Sequence, residues 1–295
     1  MNRNIGVVVN PERTDVADDF VERLRAHGCS VTTTTPDGAD ALEDAVGELV
    51  DRGVDAVAAI GGDGTQRTVA ARLADGDVPL AVVPGGTVNI LARVLGVDDL
   101  EHAAAAAAGT RDRAMDLGRM SPDGRDGETF LLNSSSGWDA AIIDGVDETT
   151  KRFGRLGFVA TGVATWLRTR ETPVEIDLDG ERWFEGSAVT VLVLNVGERG
   201  SASLHVAPDA EPDDGRLDVV VLRRHSIVGF LRFALAVARG DRPPQRETSI
   251  GEAERITVRW ARPVSLQCDG DGRDEATTID HTTHPAAIRV MLPVD

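Results

Sequence analysis

The sequence predicts a two-domain protein, with an N-terminal α/β domain built on a parallel sheet and a C-terminal, mainly antiparallel β domain. Early in the chain, short apolar runs alternate with segments of helical periodicity, which is typical of strands joined by crossover helices. From about Asp116 onward, strand-like segments separated by turns dominate. The chain has 295 residues, enough for two hydrophobic cores. We therefore predict domains at residues 1–115 and 116–295, with the option that the C-terminal tail packs back on the first domain.

Continuous apolar runs indicate the strands of the first domain, because parallel strands are buried on both faces. Two intervening segments, Val16–Leu24 and Ala41–Val50, repeat apolar residues at helical spacing, and Gly28 and Gly53 end them. Right-handed crossovers place the loops that follow the strands along one edge of the sheet. The predicted strands are Ile5–Val9, Ser30–Thr34, Ala56–Ile60 and Leu80–Val83.

Turn residues such as Asp179-Gly180 separate the strand-like segments of the second domain. Two helices interrupt these segments, at about Phe153–Arg170 and Ile227–Arg239. His281 and His284 precede a proline, and we predict an exposed loop there rather than a metal site. The predicted strands are Leu117–Met120, Thr129–Asn133, Val174–Leu178, Ala188–Asn195, Leu217–Leu222, Arg255–Trp260, Val264–Gln267 and Ile288–Leu292.

Acidic residues outnumber basic ones by 49 to 31, which gives the chain a net charge of -18. Such a surface repels phosphate backbones, so we expect no nucleic-acid partner. It also argues against docking on anionic membranes through a basic patch. Lys151 is the only lysine. An acidic, lysine-poor chain is typical of a halophilic protein, whose carboxylates are screened by salt; a GC-rich genome is the compositional alternative.

Cys29 and Cys268 are too few for a disulfide framework and lack metal-ligand spacing, so we expect a reducing compartment. The N-terminal residues do not resemble a signal segment, and no stretch approaches the roughly 18 apolar residues of a membrane span. We therefore expect a cytoplasmic protein with peripheral membrane contact at most. Its oligomeric state stays open between a monomer and a homodimer.

The strongest functional signal is the Gly-Gly-Asp-Gly-Thr loop at Gly61–Thr65, between a predicted strand and a predicted helix at Gln66–Leu73. Glycines let a backbone approach a phosphate and permit positive φ, and a helix N-terminus attracts anions. Thr65 can cap the helix or bond a phosphate oxygen. An ordinary tight turn is the alternative, but three glycines around one aspartate favour phosphate binding. The pattern matches neither a Walker A loop nor a dinucleotide fingerprint.

A second loop, Pro84–Thr87 (Pro-Gly-Gly-Thr), follows the next strand, and Asn89 opens the helix behind it. Asn10 follows the first strand at the same edge, where open α/β sheets bind ligands; the alternative is a turn residue before proline. Two glycine loops on one edge indicate a bound nucleotide. The residues assigned to it are Asn10, Gly61, Gly62, Gly64, Thr65, Gly85, Gly86, Thr87 and Asn89.

These loops, together with Asn10-Pro11, resemble the diacylglycerol kinase catalytic-domain family. That family includes bacterial lipid kinases and sphingosine kinases and is related to NAD kinases and phosphofructokinases. Three later stretches match the family's motifs in order: Gly137–Ala140, Ala207–Asp218 and the acidic turn Asp269–Asp271.

The resemblance implies an NAD kinase-like α/β domain followed by a β-sandwich, with the active site in the cleft between them. It also implies transfer of the γ-phosphoryl group of ATP, with Mg²⁺, to the hydroxyl of a lipid such as diacylglycerol, and a place in phospholipid biosynthesis. This chemistry needs positioning and charge neutralisation more than covalent catalysis.

The same resemblance implies roles for three acids. Asp63 is the first candidate for the base that accepts the hydroxyl proton, or alternatively for a ligand of the catalytic metal. Asp269 is the second candidate base. Asp271 stands where the family usually has Glu and is a candidate metal ligand. For Asp269 and Asp271, the alternative is an acidic turn on the protein surface.

Some bacterial members carry a structural Mg²⁺, which here would use the Asp214 carboxylate and backbone carbonyls near Glu211 and Arg216. A plain acidic turn is the alternative. The chain departs from the family at Arg67, where many members have Glu, and at Ile90, where many have Asp. These departures leave two other functions open: an NAD kinase-like enzyme, although its Thr-Gly-Ser-Thr-Ala segment is absent, and a non-catalytic nucleotide-binding regulator.

Overall fold

The computed structural model divides the chain into two compact units, with unit 1 formed by Met1–Leu117 and Pro285–Asp295 and unit 2 by Gly118–His284. The two helices predicted in the second domain lie largely outside the described residues. The structure describes residues 3–86, 88–144, 165–166, 169–199, 204–224, 229, 232–233, 235–236, 239–244 and 246–293.

Unit 1 is an α/β unit whose strands alternate with helices, as the sequence predicts. Its elements are β1 (Asn4–Val9), a 3₁₀ turn (Pro11–Arg13), α1 (Thr14–Ala26), β2 (Ser30–Thr34), α2 (Ala39–Asp51), β3 (Ala56–Gly61), α3 (Asp63–Leu73), β4 (Leu80–Pro84), α4 (Ile90–Val94) and α5 (Leu100–Ala108). Strands β1 to β4 pair in parallel, in the spatial order β2-β1-β3-β4, and Val290 near the C-terminus adds a parallel pairing to Leu80.

The burial of these strands follows from their sequences. All six residues of β3 are buried and so are five of the six in β1, because both are apolar strands inside the sheet. Strand β2 lies at the edge, and its threonine-rich sequence is partly exposed. Since β1, β3 and β4 run parallel, Asn10 and both glycine loops follow carboxyl ends of strands along one edge.

Unit 2 is a β-sandwich with almost exclusively antiparallel pairing. Along the chain, the unit boundaries fall inside β5 and after His284 of β16. The elements are β5 (Asp112–Pro122), β6 (Glu128–Phe130), β7 (Asn133–Gly137), α6 (Trp138–Asp144), β8 (Thr172–Leu178), β9 (Glu181–Ala188), β10 (Thr190–Leu194), β11 (Glu198–Arg199), β12 (Leu204–His205), β13 (Leu217–Leu222), β14 (Thr248–Ala253), β15 (Arg255–Cys268) and β16 (Asp271–Met291).

Strand β15 takes part in both layers of the sandwich. Its residues Ile256–Trp260 pair with β8, whereas Leu266–Cys268 pair with β7, and its register with β16 shifts between Arg259 and Val264. Such irregularities bend a strand and let it pass from one layer to the next. Apolar residues of β8, β10, β13, β15 and β16 form the core of this unit, as expected for the predicted antiparallel β fold.

Strand β7 was not predicted as a strand of its own, since the sequence analysis expected one strand over Thr129–Asn133. The sequence Asn-Ser-Ser-Ser-Gly lacks apolar residues, yet all four residues from Asn133 to Ser136 are buried. They are buried because β7 lies between β10 and β15. Within the described residues, no helix is both long and apolar enough to cross a bilayer.

The prediction of an exposed loop at His281 was wrong. His281 lies within β16, is 3% exposed and is 3.2 Å from Ser134 Oγ through its Nε2. Pro285 lies within β16 and does not end it, so this proline does not mark a loop. Burial lowers the pKa of His281 from its usual 6.5 to about 4.

The low pKa of His281 makes its contribution to the free energy of unfolding depend on pH. Between pH 6.5 and about 4 the unfolded chain takes up a proton that native His281 does not. The free energy of unfolding should therefore fall by about 1.4 kcal/mol per pH unit as the pH decreases through this window. In urea titrations, the difference between wild type and His281→Gln should shrink as the pH decreases, and a pH-independent difference would contradict the assignment.

Candidate functional site

The two glycine loops of unit 1 touch each other backbone to backbone. A Cβ placed on Gly86 would lie 2.6 Å from the Gly62 Cα, and one placed on Gly85 would lie 3.0 Å from the Gly61 nitrogen. The Gly85 amide also donates to the Gly61 carbonyl over 3.0 Å. Side chains at these positions would separate the loops.

The contact between the loops explains the glycines better than backbone conformation does. Glycine permits positive φ, but none of Gly61, Gly62, Gly64, Gly85 and Gly86 adopts it. Gly62, for example, has φ -84° and ψ -177°, which other residues also adopt. The space between the loops, rather than backbone conformation, requires glycine here.

Helix α3 begins at Asp63, earlier than the predicted Gln66, so Thr65 lies inside its first turn and does not cap it. Thr65 Oγ1 instead accepts a hydrogen bond of 3.2 Å from Asn10 Nδ2. Asn10 Oδ1 accepts from the Glu12 amide at 2.9 Å and shapes the turn after β1. Two predicted nucleotide residues, distant in sequence, are thus joined.

A pocket of about 230 Å³ opens beside this pair. Its lining includes Asn10, Gly64 and Thr65, together with Gly38 and Leu42 of the neighbouring segment. Backbone and hydroxyl groups from the carboxyl edge of a parallel sheet therefore face a concave surface, which is the usual setting of a nucleotide site in open α/β folds.

The Asp63 carboxylate connects the first loop to the helix behind the second. Its Oδ2 and Oδ1 accept hydrogen bonds of 3.3 Å from the amides of Ile90 and Leu91, at the start of α4. Burial raises the pKa of Asp63, and these amides partly oppose the shift. A half-buried carboxylate with a raised pKa can accept a proton more effectively near neutral pH.

Asn89 shapes the second loop. Its backbone is left-handed, with φ 50°, and its side chain bonds both sides of the Gly86 residue: Oδ1 accepts from the amide at 2.7 Å, and Nδ2 donates to the carbonyl at 2.9 Å. Thr87 lies outside the described residues. Ile90, noted as a departure from the family, is 7% exposed, so its side chain packs into the core.

Gln66 was missed by the sequence analysis, which treated it as an ordinary helical residue. It is fully buried, and its Nε2 lies 3.4 Å from the Gly61 carbonyl and 3.5 Å from that of Val83. It thus holds the ends of β3 and β4 directly beneath the two loops. A polar residue on the inward face of α3 was the only available signal.

In unit 2, the Asp269 carboxylate holds a turn of backbone. It accepts three hydrogen bonds, from the amides of Leu131, Leu132 and Asn133, at 2.7, 2.9 and 2.9 Å. Asp269 itself is left-handed, with φ 48°. Amides that bind a carboxylate favour its ionised form and fix its position.

A network of buried polar side chains stabilises the turn at Asp269. Gln267 Nε2 donates to Asn133 Oδ1 at 2.8 Å and to Ser135 Oγ at 2.9 Å, while its Oε1 accepts from the Gly270 amide at 2.7 Å. Ser135 Oγ in turn donates to Asp139 Oδ2 at 2.5 Å. These contacts join the Gly137–Ala140 segment and the acidic turn Asp269–Asp271 in one hydrogen-bond network.

The remaining metal candidates lie at the surface of unit 2. Asp271 Oδ2 is 3.8 Å from Arg273, and its side chain is 55% exposed. Asp214 Oδ1 accepts from the Arg216 amide at 2.9 Å, and Glu211 is exposed. Among the described residues, no cluster of three or more His, Cys, Asp or Glu could hold a metal.

The acids around the Asp214 turn are partly neutralised by arginines. Burial, followed by the nearby charges of Glu252, Asp214 and Asp209, raises the pKa of Asp218 to about 7. However, Arg216 pairs with Glu252 at 3.3 Å and Arg242 with Asp209 at 2.6 Å. The Asp214 carboxylate and neighbouring backbone carbonyls are oxygen donors of the type that Mg²⁺ takes, so the donor chemistry fits this ion.

A parallel sheet with paired glycine loops at its carboxyl edge, followed by an antiparallel sandwich, defines the NAD kinase-like class of nucleotide-binding kinases. The chain matches the diacylglycerol kinase catalytic domain over residues 4–120 and the YegS C-terminal NAD kinase beta sandwich-like domain over residues 133–292. It therefore belongs to the diacylglycerol kinase catalytic-domain family, together with the YegS-like proteins.

Individual relatives agree with this assignment. A Stenotrophomonas maltophilia protein named "probable lipid kinase YegS-like" is 34% identical over 95% of this chain and 92% of its own. The diacylglycerol kinase of Bacillus subtilis is 28% identical over 85% of this chain and 82% of its own.

Two solved structures share the fold. A diacylglycerol kinase from Bacillus anthracis superposes with a TM-score of 0.75 at 20% identity, covering 98% of this chain and 97% of the other. The yeast NADH kinase complexed with NADH is more distant, with a TM-score of 0.54 at 12% identity and coverage of 99% and 84%.

The contact between the loops can be tested with two glycine substitutions. Gly86→Ala forces a Cβ against the Gly62 backbone and should lower the free energy of unfolding by about 1–3 kcal/mol. Gly64→Ala is the matched control, because a Cβ there meets nothing within 4 Å and Gly64 is helical, so stability should stay equal or rise. Urea unfolding measures both, and equal losses would contradict the packing argument.

Proposed function

We propose that the protein is an ATP-dependent lipid kinase that transfers the γ-phosphoryl group to a hydroxyl of diacylglycerol or a related lipid. The proposal is carried by the Asp63 carboxylate, which lies between two touching glycine loops at the carboxyl edge of the unit 1 sheet. Membership of a family of phosphotransferases with alcohol acceptors supports the same reaction class.

In this reaction, the acceptor oxygen forms a bond to the γ-phosphorus, the bond to the bridging β–γ oxygen breaks, and ADP leaves. We assign the triphosphate to the backbone of the two glycine loops, and the adjoining nucleoside to the pocket beside Asn10 and Thr65. Backbone amides and helix N-termini bind phosphate oxygens without a charged side chain.

Asp63 accepts the proton of the acceptor hydroxyl in this proposal. Its raised pKa, and the hydrogen bonds that fix its carboxylate against the first amides of α4, suit a general base. We assign Asp269 to a positioning role, because both of its oxygens already hold the backbone of residues 131–133. Asp271, exposed on the same turn, stays the proposed metal ligand there.

The proposed acceptor site is a pocket of about 680 Å³ in unit 2. Trp138, Trp260 and Val264 supply apolar surface to it. Its charged lining residues are of both signs: Arg170, Glu171, Arg262 and Glu275. A pocket of this size and mixed lining suits the apolar chain and polar head of a lipid better than a second nucleotide.

Mg²⁺, when bound, neutralises charge on the transferred phosphoryl group. We assign the structural ion to Asp214 with carbonyls near Glu211 and Arg216. The buried free cysteines, Cys29 and Cys268, support a reducing cytoplasm as the setting, and the acidic composition supports a salt-rich one.

The function is tested by incubating the full chain with γ-labelled ATP and Mg²⁺ over a range of KCl concentrations. Separate reactions offer diacylglycerol, a long-chain base, a total lipid extract and NAD. Labelled lipid is the expected product. If only NAD becomes labelled, the protein is an NAD kinase and the proposal is wrong. If the protein binds nucleotide but forms no labelled product, it is a non-catalytic regulator.

Asp63→Asn should lower kcat by about 10²–10⁴-fold, because the amide cannot accept the proton. The variant should stay folded, since the Asn Oδ1 can still accept from one of the two α4 amides that Asp63 binds. Asp40→Asn is the matched control, as Asp40 also lies in the first turn of a unit 1 helix and the charge change is identical. Turnover by Asp63→Asn equal to that of the control would remove Asp63 from the mechanism.

The structural ion can be tested without activity. Millimolar Mg²⁺ in the absence of ATP should raise the Tm of wild type by a few degrees, because a ligand that binds only the native state stabilises it. Asp214→Asn should lose most of this shift. Asp126→Asn, in another exposed turn of unit 2, should keep it. An unchanged shift in Asp214→Asn would contradict the site.

A further inference from the structure

Helix α3 has a polar residue on the face that packs against the sheet. Its buried residues are Gln66, Val69, Ala70 and Leu73, which recur at the three- and four-residue spacing of one helix face. Gln66 is 0% exposed, and among the described residues of unit 1 only Asp116 is also both polar and buried. The periodicity of α3 therefore predicts an apolar side chain at the position that Gln66 occupies.

The amide nitrogen of Gln66 lies between the ends of two neighbouring strands. Its Nε2 is 3.4 Å from the carbonyl oxygen of Gly61, at the end of β3, and 3.5 Å from that of Val83, the last residue but one of β4. Only the donor end of the amide can face two carbonyl oxygens, because the acceptor end would repel both. One side chain thus connects β3 and β4 at the edge where both glycine loops begin.

The contacts of Gln66 cost the fold some stability. The Gly61 carbonyl already accepts a hydrogen bond from the Gly85 amide at 3.0 Å, so the bond from Gln66 uses the second lone pair of that oxygen. At the other end of the side chain, Oε1 is buried and has no hydrogen-bond partner among the described residues. A buried acceptor without a donor is destabilising, so an apolar side chain of the same shape would be at least as stable here.

We propose that Gln66 is a positioning residue for the triphosphate, because it holds the ends of β3 and β4 at the spacing at which the two glycine loops bind phosphate. The residues whose carbonyls it binds, Gly61 and Val83, lie at the start of one loop and directly before the other. A site built from backbone amides works only when each amide is held to within about 0.5 Å of its productive position. A polar residue that weakens the core is typical of a place where function sets the residue type.

This inference rests on the proposed function for one assignment, the binding of the triphosphate by the glycine loops. It does not depend on the acceptor that is phosphorylated. The alternative is that Gln66 only fills space in the core. The two roles differ in what a substitution changes, because a core residue determines stability and a positioning residue determines the affinity for phosphate.

The test compares two substitutions on the inward face of α3 by thermal melts and by isothermal titration calorimetry with Mg-ATP, both without lipid. Gln66→Met keeps the unbranched shape of the side chain and removes its polar groups. Its Tm should equal or exceed that of wild type, while the Kd for Mg-ATP should rise at least fivefold. Val69→Ala is the matched control: it leaves a cavity in the same core, so the Tm should fall by several degrees and the Kd should stay within twofold of wild type.

Ligands of different composition show which part of the nucleotide is affected. Inorganic tripolyphosphate should lose as much affinity for Gln66→Met as ATP does, whereas adenosine, which has no phosphate, should bind the variant and wild type equally. In turnover, the KM for ATP should rise and the KM for the lipid should stay within twofold, because Gln66 lines neither the nucleoside pocket nor the proposed acceptor pocket. A substitution that only loosened the core would not separate these ligands.

Several results would overturn the positioning role. They are an unchanged Kd for ATP in Gln66→Met, an equal loss for adenosine, and a loss of affinity that accompanies a lower Tm or a failure to fold. Gln66→Leu repeats the test with a branched apolar side chain and should show the same two changes. If no lipid is phosphorylated but Gln66→Met still weakens the binding of ATP and tripolyphosphate, the proposed function fails and the positioning role stands. Wild type that binds neither ligand would disprove both.

Discussion

The arrangement of loops at the carboxyl edge of the unit 1 sheet depends on a contact between two glycine backbones, which carry no side chains. Because Gly62 and Gly86 touch, the start of α4 comes within hydrogen-bond reach of Asp63, the first residue of α3. The same closeness reduces access of water to that carboxylate and raises its pKa. One packing constraint therefore sets both the position and the basicity of the group that we propose as the base.

The parts of this arrangement that are local in sequence were predictable. Strands β1 and β3 are apolar runs, their helices repeat apolar residues, and crossover rules align their loops. The loops were also correctly placed at strand ends. The reason for the glycines in these loops could not be predicted, because a positive φ and a close backbone contact both require glycine. The backbone that approaches Gly62 is that of Gly86, 24 residues further along the chain.

Unit 2 shows why longer-range features escaped the sequence analysis. The hydrogen-bond partners of Asp269 lie about 136 residues earlier in the chain, and nothing in the sequence near Leu131 marks them as partners. Strand β7 has no apolar residue to indicate burial, and His281 is buried by neighbours that pair only in the folded sheet. The apolar periodicity of a segment shows which of its residues could be buried. The strands and helices that pack against it determine which of them are buried.

The net charge of -18 also acts over short distances, because charges beyond about 10 Å are largely screened at 0.1 M salt. Each carboxylate therefore responds mainly to the charges close to it. Asp218 and Glu252 face each other across β13 and β14, and burial together with the charges of Glu252, Asp214 and Asp209 raises the pKa of Asp218 to about 7. The total charge can be read from the composition, whereas the crowding of acids around Asp218 depends on which strands pair in the folded sheet.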